Sequence, residues 1–421
     1  MKLNIRFAFV AVFVFFFLSC SKDDNELQPD DSNDPAVINY EFELTFDSQI
    51  LNAINSFQIL KIIKNNDGFI LFTQELITEF PFDTGIRITK IDHQFNLVWT
   101  FLINESIEID KFSGVFELPN DEYIAMLKRV HSASDGLNYN EVYGLKFNNL
   151  GNILWQKDYS TQNVDSDARL DEIIDFTNES NELKVMFRSD STYYNADDAY
   201  FREVKLNAAG DVLSTTILNY TDVNQFYNII YDQNGSKYNF GGRLLVDFYI
   251  GNSAYVSYNA LLIKYDVNNQ VIYDKTYGVQ RADDYFHEIL IDNNNKPIMV
   301  GKCGLDTSNN PEGRWIAEIN AVGDIVWEIK EINENVRYYG KDIIQDDDGN
   351  YLSLFYDINF GFDIATLIKS DHQGNIIWKF QDGPDGNDDS FVPYKVFKRN
   401  DEYLIFGLKD DKLWIKKVKI Q

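Results

Sequence analysis

The sequence predicts an all-β fold, a seven-bladed β-propeller closed by an N-terminal strand that pairs with the last blade. Three observations lead to this prediction. A hairpin-like segment recurs along the chain, one position of it recurs at spacings of 51 to 59 residues and is aromatic in all copies but one, and the composition favours strands. The 421 residues include 32 Phe and 25 Tyr but only 8 Pro. Aromatic enrichment with Asn, Asp and Gly between the apolar runs is typical of strands joined by tight turns.

The clearest copy of the hairpin is 367–380, in which two short apolar runs flank a polar turn that contains Gly374 and Asn375. This pattern is typical of a β-hairpin. Seven copies align on the Trp position of that segment, and a propeller blade of four strands needs about 40 to 50 residues or more. The marker residues are Tyr40, Trp99, Trp155, Ser214, Tyr273, Trp327 and Trp378.

A second hairpin with its own polar turn precedes each marker hairpin, so that a complete unit supplies four strands, A to D. The last unit ends after its strand C, at 413–420. We expect residues 40–46 to supply the missing strand D. An unpaired strand C would be a template for aggregation, and pairing between the two ends of the propeller removes that edge.

The Gly-Asn-Ile-x-Trp-x-Lys segment at 151–157 resembles the tryptophan-docking repeat of quinoprotein-type propellers, and the resemblance covers roughly 38–421. It implies that the marker ring packs between neighbouring blades, which is also how one large aromatic per unit fills an interface between sheets. Ser214 departs from the pattern. Quinoprotein dehydrogenases would be expected to show a vicinal disulfide, whereas only Cys20 and Cys303 are present. The sequence therefore predicts no quinone and no other cofactor.

Residues 1–19 are interpreted as a lipoprotein signal peptide. Lys2 and Arg6 precede an unbroken apolar run, 7–18, which is too short to span a bilayer comfortably. Cys20 follows directly and resembles the cysteine of a bacterial lipobox, which implies that Cys20 carries the lipid, a palmitate-type acyl anchor. Residues 20–36 are then a polar tether, and 37–421 form the propeller.

An acidic stretch begins at Lys22, Asp23 and Asp24 and resembles the export signal of surface lipoproteins of the Bacteroidota. The resemblance implies display on the outer face of the outer membrane. The alternative is a solvated linker on a protein of the periplasmic leaflet. The formal net charge of −28 opposes contact with nucleic acid or anionic headgroups through a basic face, so we expect membrane association through the lipid alone.

Polar motifs that recur at one register in most units are interpreted as structural. The acidic turn at 346–350 lacks the alternating spacing of a calcium loop. No zinc-ligand spacing, nucleophile elbow or phosphate loop is present, so the sequence predicts no metal site and no catalytic residue. Asp284 and His287 lie near the expected channel mouth and are candidate binding residues. An enzyme would draw on these two and on Asp283, Asp388 and Asp389 for acid–base chemistry.

The loops between strands B and C vary in length and residue content from one unit to the next. Because strand direction alternates, these loops lie on the same face as the connections between strand D and the next strand A. We call this face the top face. Exposed aromatics there suit sugar rings or a protein partner. The candidates are Tyr193, Tyr194, Tyr249, Phe360 and Phe362.

The predicted function is a lipid-anchored, non-enzymatic binding or scaffold protein of the envelope whose top face holds a protein or glycan. One alternative is a carbohydrate-active enzyme at the channel mouth. Another is a periplasm-facing assembly factor of the outer membrane, because the sequence distantly resembles the lipoprotein propeller of the barrel-assembly machine.

Overall fold

The computed structural model describes most of the residues that follow position 37. All described residues lie in one compact unit, Ala36–Gln421. The described ranges are 38–45, 57–79, 82–103, 108–118, 120–132, 138–159, 170–179, 182–190, 200–218, 225–250, 253–279, 282–304, 311–333, 336–359, 362–382, 391–409 and 412–420.

The described residues form seven antiparallel four-stranded sheets, which confirms the predicted seven-bladed β-propeller. The first strand, β1, spans Ile38–Thr45 and belongs to the last blade. Blade I contains β2 (Phe57–Asn65), β3 (Gly68–Glu79), β4 (Phe82–Asp92) and β5 (Leu97–Ile103). Blade II contains β6 (Glu108–Leu118), β7 (Glu122–Ser132), β8 (Asn138–Asn148) and β9 (Ile153–Asp158). Blade III contains β10 (Leu170–Glu179), β11 (Glu182–Asp190), β12 (Tyr200–Leu206) and β13 (Val212–Leu218).

The remaining blades follow the same order along the sequence. Blade IV contains β14 (Gln225–Tyr231), β15 (Lys237–Ile250), β16 (Ser253–Tyr265) and β17 (Val271–Tyr277). Blade V contains β18 (Tyr285–Ile291), β19 (Pro297–Gly304), β20 (Glu312–Ile319) and β21 (Ile325–Asn333). Blade VI contains β22 (Val336–Gln345), β23 (Tyr351–Asn359), β24 (Phe362–Ser370) and β25 (Ile376–Asp382). Blade VII contains β26 (Phe391–Arg399), β27 (Glu402–Lys409), β28 (Lys412–Ile420) and β1.

The two ends of the propeller pair with each other as the sequence predicts. Strand β1 runs antiparallel to β28, with Asn39 opposite Lys419 and Thr45 opposite Trp414. Strand A of every blade contacts strand A of both neighbouring blades. These seven strands, β2, β6, β10, β14, β18, β22 and β26, therefore surround the central axis.

The marker rings pack on the C–D turn of the next blade. A Cβ atom added to Gly374 would lie 2.6 Å from the ring of Trp327, and one added to Gly210 would lie 2.6 Å from that of Trp155. The rings of Trp99 and Tyr273 lie in the same way on the corresponding glycines of the next blades. The expected packing of the marker between neighbouring blades is found at these four junctions.

Two junctions use other residues at this position. Ser214 has no ring, and the turn that follows in blade IV has Asn269 (φ +61°) where four of its counterparts have glycine. At the seam between blades VII and I the turn itself supplies the ring. Phe95 is buried at φ +65° and packs against Phe69, with 6.2 Å between ring centroids, and against Phe406, with 6.4 Å.

The acidic turns bond to their own backbone. Asp346 Oδ1 accepts the N–H groups of Asp348 and Asn350, each at 3.0 Å. Asp371 does the same with Gln373 and Asn375 at 2.8 Å. These are Asx-type turns, in which a short carboxylate replaces a backbone acceptor. The turn at 346–350 therefore has a structural explanation for its aspartates.

Candidate functional site

A β-bulge occurs at the same register in all seven strands that surround the axis. In each of them one extra residue interrupts the pairing of strand A with strand B. Bulges redirect side chains and are common beside functional sites. We call the seven extra residues the bulge ring: Leu60, Ser113, Ile174, Tyr227, His287, Lys341 and Tyr394.

The bulge ring repeats in backbone geometry but not in chemistry. Its members are aliphatic, hydroxyl-bearing, aromatic and basic, whereas the turn carboxylates and the marker rings keep one residue type at one register in most blades. A position whose backbone is the same from blade to blade while its side chain varies is suited to recognise something outside the fold. The bulge ring is therefore a candidate for a ligand-binding site.

Three consecutive blades bring their bulge residues together with a series of tyrosines. The ring of His287 lies 6.0 Å from that of Tyr285 and 5.8 Å from that of Tyr339, centroid to centroid. Tyr339 in turn stacks at 6.0 Å on Tyr356. These residues and their neighbours form a group of seven side chains, each partly exposed, which we call the tyrosine–lysine cluster. Its members are Tyr258, Tyr285, His287, Tyr339, Lys341, Tyr356 and Tyr394.

Lys341 lies at the centre of the cluster. Its Nζ is 5.8 Å from the ring centroid of Tyr339, 5.4 Å from that of Tyr356 and 5.5 Å from that of Tyr394. Within the part of the protein that the structure describes, Lys341 forms no ion pair with a carboxylate. Burial lowers the pKa of the Lys341 ammonium. Three ring faces, rather than a counter-ion, surround this cation.

The residues that follow the bulges in blades V, VI, VII and I form a charged group around the axis, which we call the charge quartet: Glu288, Asp342, Lys395 and Lys61. Lys395 Nζ donates to Asp342 Oδ1 at 2.5 Å, and the Val396 N–H donates to Asp342 Oδ2 at 2.9 Å. Two cations face two carboxylates, so the quartet is electrically balanced. Lys341 is the additional positive charge beside it.

Two members of the quartet, Glu288 and Lys61, have shifted pKa values because protein surrounds them. Burial raises the pKa of Glu288, partly offset by Lys395. Burial, reinforced by Lys395, lowers the pKa of Lys61, although the Lys61 side chain remains accessible to solvent in the channel. Both shifts favour the neutral forms of these groups, as expected for charges enclosed by protein.

His287 is uncharged at neutral pH. Burial, with Lys302 and Lys341 nearby, lowers its pKa to about 3. A lone imidazole in this state acts on a ligand by ring contact and hydrogen bonding rather than by charge.

Asp284 directly precedes β18, the strand that carries Tyr285 and His287 of the cluster. Its side chain is fully buried, with Oδ1 accepting the Gly304 N–H and Oδ2 the Val279 N–H, both at 2.9 Å. Burial raises the pKa of this carboxyl to about 6. The neighbouring Asp283 accepts the Tyr258 N–H at 3.2 Å. Asp284 therefore holds a connection in place and presents no surface to a ligand, which differs from the binding role suggested by the sequence.

Several of the sequence-based candidates lie outside the described residues: Cys20, Lys22, Asp23, Asp24, Tyr193, Tyr194, Phe360, Asp388 and Asp389. Tyr249 and Phe362 lie in β15 and β24, opposite Ala254 and Asn359, and only their backbones are described. Of the binding candidates whose side chains the structure describes, only His287 belongs to the tyrosine–lysine cluster.

The sequence contains a signal for the bulged positions, although the candidates chosen from the B–C loops did not include most of them. In blades I, IV, V and VI the bulged residue lies five positions before the first Asn or Asp of the A–B turn. Comparing that position across the repeats places Leu60, Tyr227, His287 and Lys341 in one set.

Other surface features are less suited to a ligand. A cavity of about 720 Å³ lies between blades VII and I, among the A–B and C–D turns, and is lined by Phe95, Arg399 and Glu402 among others. Its cations are already bonded, since Arg399 and Lys417 both pair with Glu402. A pair of exposed aliphatic residues also precedes the marker in six blades, for example Ile325 and Val326. Its recurrence at one register marks it as part of the architecture.

The described residues contain no group of three side chains that could hold a metal ion. Nor does any helix in the described part of the protein have the length and apolarity needed to cross a membrane. Cys303 is buried, and burial raises the pKa of its thiol to about 12, so this thiol is unreactive at neutral pH.

No family model matches the sequence, and a comparison with characterised proteins gives no match. Similar solved structures include a protein of unknown function from Dyadobacter fermentans, at 11% identity and a TM-score of 0.35 over 61% of this chain and 95% of that one. A glycoside hydrolase family 32 β-fructofuranosidase from Bombyx mori has 11% identity and a TM-score of 0.36, over 87% and 90% of the two chains. An apocarotenoid oxygenase variant from Synechocystis has 9% identity and a TM-score of 0.40, over 74% and 72%. Similarity this distant neither confirms nor excludes enzymatic activity.

Proposed function

We propose that this protein is a non-enzymatic binding protein of the cell envelope, anchored in the outer membrane through a lipid on Cys20 and displayed at the cell surface. Its top face holds a glycan or protein partner. The observation that carries this proposal is the tyrosine–lysine cluster, in which partly exposed rings from four consecutive blades, IV to VII, meet beside the axis. The propeller fold itself supports a binding or scaffold role.

The cluster has the physical properties of a recognition surface. Tyrosine offers a large apolar face and a hydroxyl group at low cost in conformational entropy, and it is enriched among residues that dominate binding energies. The cluster residues lie on strands β16, β18, β22, β23 and β26 rather than on loops. Sites built on rigid elements keep their geometry before the ligand arrives.

The titratable groups near the axis do not form a catalytic pair in the described residues. Asp284 is bonded to two backbone amides, Asp342 is bonded to Lys395 and Val396, and His287 is uncharged at neutral pH. Glycoside hydrolysis usually needs two carboxyl groups on either side of the scissile bond. Glu288, whose pKa is raised by burial, is the one described carboxyl at the axis that suits the carbohydrate-active alternative.

A glycan array and a set of immobilised envelope proteins, probed with the full-length protein in detergent, test the binding role. We expect Tyr356→Leu and Tyr394→Leu to lose at least tenfold in affinity for whatever the wild type captures. Replacing the exposed Ile325 and Val326 by Ser should leave capture unchanged. Circular dichroism confirms that the variants are folded. Capture that survives both tyrosine changes would overturn the proposed site.

The enzyme alternative has a separate outcome in the same experiment. If the wild type hydrolyses a glycan of the array and Glu288→Gln abolishes that hydrolysis while keeping the fold, the protein is an enzyme and not only a binder. Binding without turnover in the wild type supports the binding role.

The proposed localisation is tested by cell fractionation. Cys20→Ala should release the protein from the membrane fraction, because a protein that lacks the acylated cysteine has lost its anchor. Replacing Lys22, Asp23 and Asp24 by Ala should keep the lipid but abolish surface labelling and proteinase sensitivity on intact cells. A Cys20→Ala protein that still fractionates with the outer membrane would contradict lipid anchoring.

A further inference from the structure

Lys341 has no carboxylate partner among the described residues, although the protein is strongly acidic. The sequence has 66 Asp and Glu against 38 Lys and Arg. Several buried or partly buried lysines elsewhere have carboxylate partners, for example Lys395 with Asp342 at 2.5 Å and Lys302 with Glu312 at 2.7 Å. Lys341 is partly buried, and in the described residues no carboxylate pairs with it.

Carboxylates on β22 and on the neighbouring strand β20 are already engaged. Asp342 accepts hydrogen bonds from Lys395 and from the Val396 N–H. Glu312 is bonded to Lys302 at 2.7 Å. Among the described residues, no carboxylate is placed to neutralise the Lys341 ammonium, and an enclosed cation without a partner is unfavourable. An anionic group brought in by a ligand would remove that penalty.

The surroundings of Lys341 restrict what such an anion can be attached to. The rings of Tyr339, Tyr356 and Tyr394 lie 5.4 to 5.8 Å from Nζ and provide flat apolar faces with hydroxyl groups at their edges. The series of rings continues through His287 to Tyr285 and Tyr258 in steps of 5.3 to 6.0 Å. Flat faces beside hydrogen-bonding groups suit a series of linked sugar rings, which have apolar faces and polar edges.

We propose that the tyrosine–lysine cluster binds an oligosaccharide whose rings carry a carboxylate or sulfate group, with Lys341 as the residue that contacts the anion. This inference rests on the proposed binding function and names its ligand class. The tyrosine faces hold the sugar rings, and Lys341 selects the charged sugar over its neutral counterpart.

The test uses two matched pairs of probes and isothermal titration calorimetry on the full-length protein. One pair is trigalacturonic acid and its fully methyl-esterified form, which differ in charge but share the ring skeleton. The other pair is a sulfated galactose trisaccharide and its desulfated form. The charged member of at least one pair should bind at least tenfold more tightly than the neutral member. The pair that shows this difference identifies the anion as a carboxylate or a sulfate.

Variants separate the charge from the packing. Lys341→Met keeps the length of the side chain and should abolish the preference for the charged probe, whereas Lys341→Arg keeps a cation and should retain it. Lys330→Met is the matched control, because Lys330 also lies over an aromatic ring, 4.6 Å from that of Trp315, but on the outer strand β21. This control should bind all four probes as the wild type does.

Three results would overturn the inference. They are equal affinity for the charged and neutral members of both pairs, a charge preference that persists in Lys341→Met, and no binding of any of the four probes at millimolar concentration. Equal binding that is lost in Tyr356→Leu would refute the anionic ligand while leaving the proposed binding function intact. If the capture of glycans or envelope proteins is unchanged in Tyr356→Leu and Tyr394→Leu, the proposed binding function of the cluster is refuted.

Discussion

Lys395 of blade VII donates a hydrogen bond to Asp342 of blade VI, with 2.5 Å between Nζ and Oδ1. The second oxygen of Asp342 accepts the Val396 N–H at 2.9 Å, so a fully buried carboxylate of one blade is held entirely by the next. Glu288 and Lys61 add their charges to the same group. Four of the seven blades therefore meet electrostatically at the axis.

Breaking the pair between Lys395 and Asp342 should destabilise the propeller strongly. Lys395→Met leaves the buried Asp342 carboxylate without its cation, and removing one partner of a buried pair costs about 3 to 5 kcal/mol. The measurement is the free energy of unfolding in guanidinium chloride. Lys398→Met is the control: Lys398 lies in the same strand and bonds Asp347 at the same 2.5 Å, but the Asp347 side chain is 87% exposed. It should cost less than about 1 kcal/mol. Similar losses in the two variants would contradict the special role of the buried pair.

The contact between Trp327 and Gly374 can be measured separately from backbone strain. Gly374 has φ +85° and Gly349 has φ +81°, so an alanine at either position incurs a similar backbone penalty of about 1 kcal/mol. At Gly374 the new Cβ would lie 2.6 Å from Trp327, whereas at Gly349 the nearest atom would be 3.9 Å away. We expect Gly374→Ala to lower the melting temperature clearly more than Gly349→Ala. Equal shifts would mean that the ring adapts without cost.

Closure of the ring depends on β1. Deleting 38–45 removes a strand of 8 residues and exposes the edge of β28, so the free energy of unfolding should fall by several kcal/mol. A synthetic peptide of 36–47, added in excess, should restore part of the lost stability by occupying the same edge. Deleting 21–35, which lie before β1, is the control and should leave the melting temperature unchanged. A 38–45 deletion that melts like the wild type would refute closure by this strand.

Asp284 and His287 should give opposite pH dependences. Burial raises the pKa of Asp284 from 3.8 to about 6, so the folded state binds the proton more tightly than the unfolded state. The Asp284 contribution to stability therefore falls as the pH rises from about 4 to about 6, by at most about 3 kcal/mol. Burial lowers the pKa of His287 from 6.5 to about 3, so the folded state binds this proton less tightly than the unfolded state. The His287 contribution to stability therefore falls as the pH drops from 6.5 to about 3.

The comparison of variants isolates these two effects from the other titrating groups. The stability of the wild type relative to Asp284→Asn should decline between pH 4 and pH 6, because Asn cannot titrate. The stability of the wild type relative to His287→Gln should increase over the range from pH 3 to 6.5. Two difference profiles of the same sign would contradict the assignment.

The sequence alone determined the architecture, because the features that define it are local. Alternating apolar residues specify strands, and the Asx turns at Asp346 and Asp371 specify where strands reverse. The marker residues recur at intervals of 51 to 59, so the number of blades could be counted. The incomplete last unit and the strand-like segment at 40–46 together predicted the closure that β1 and β28 show.

Only the tertiary structure decided which residues form the site. His287, Lys341 and Tyr394 are separated by more than 50 residues along the sequence, and they meet because successive strands A surround one axis. A bulge shifts the alternation by one residue, so the alternation of apolar residues by itself does not show which side chain the bulge turns towards the channel. The burial of Asp284 is likewise decided by its contacts with residues 279 and 304, which the sequence does not reveal. Local periodicity fixes the blades, whereas the chemistry at the axis arises from contacts between distant strands.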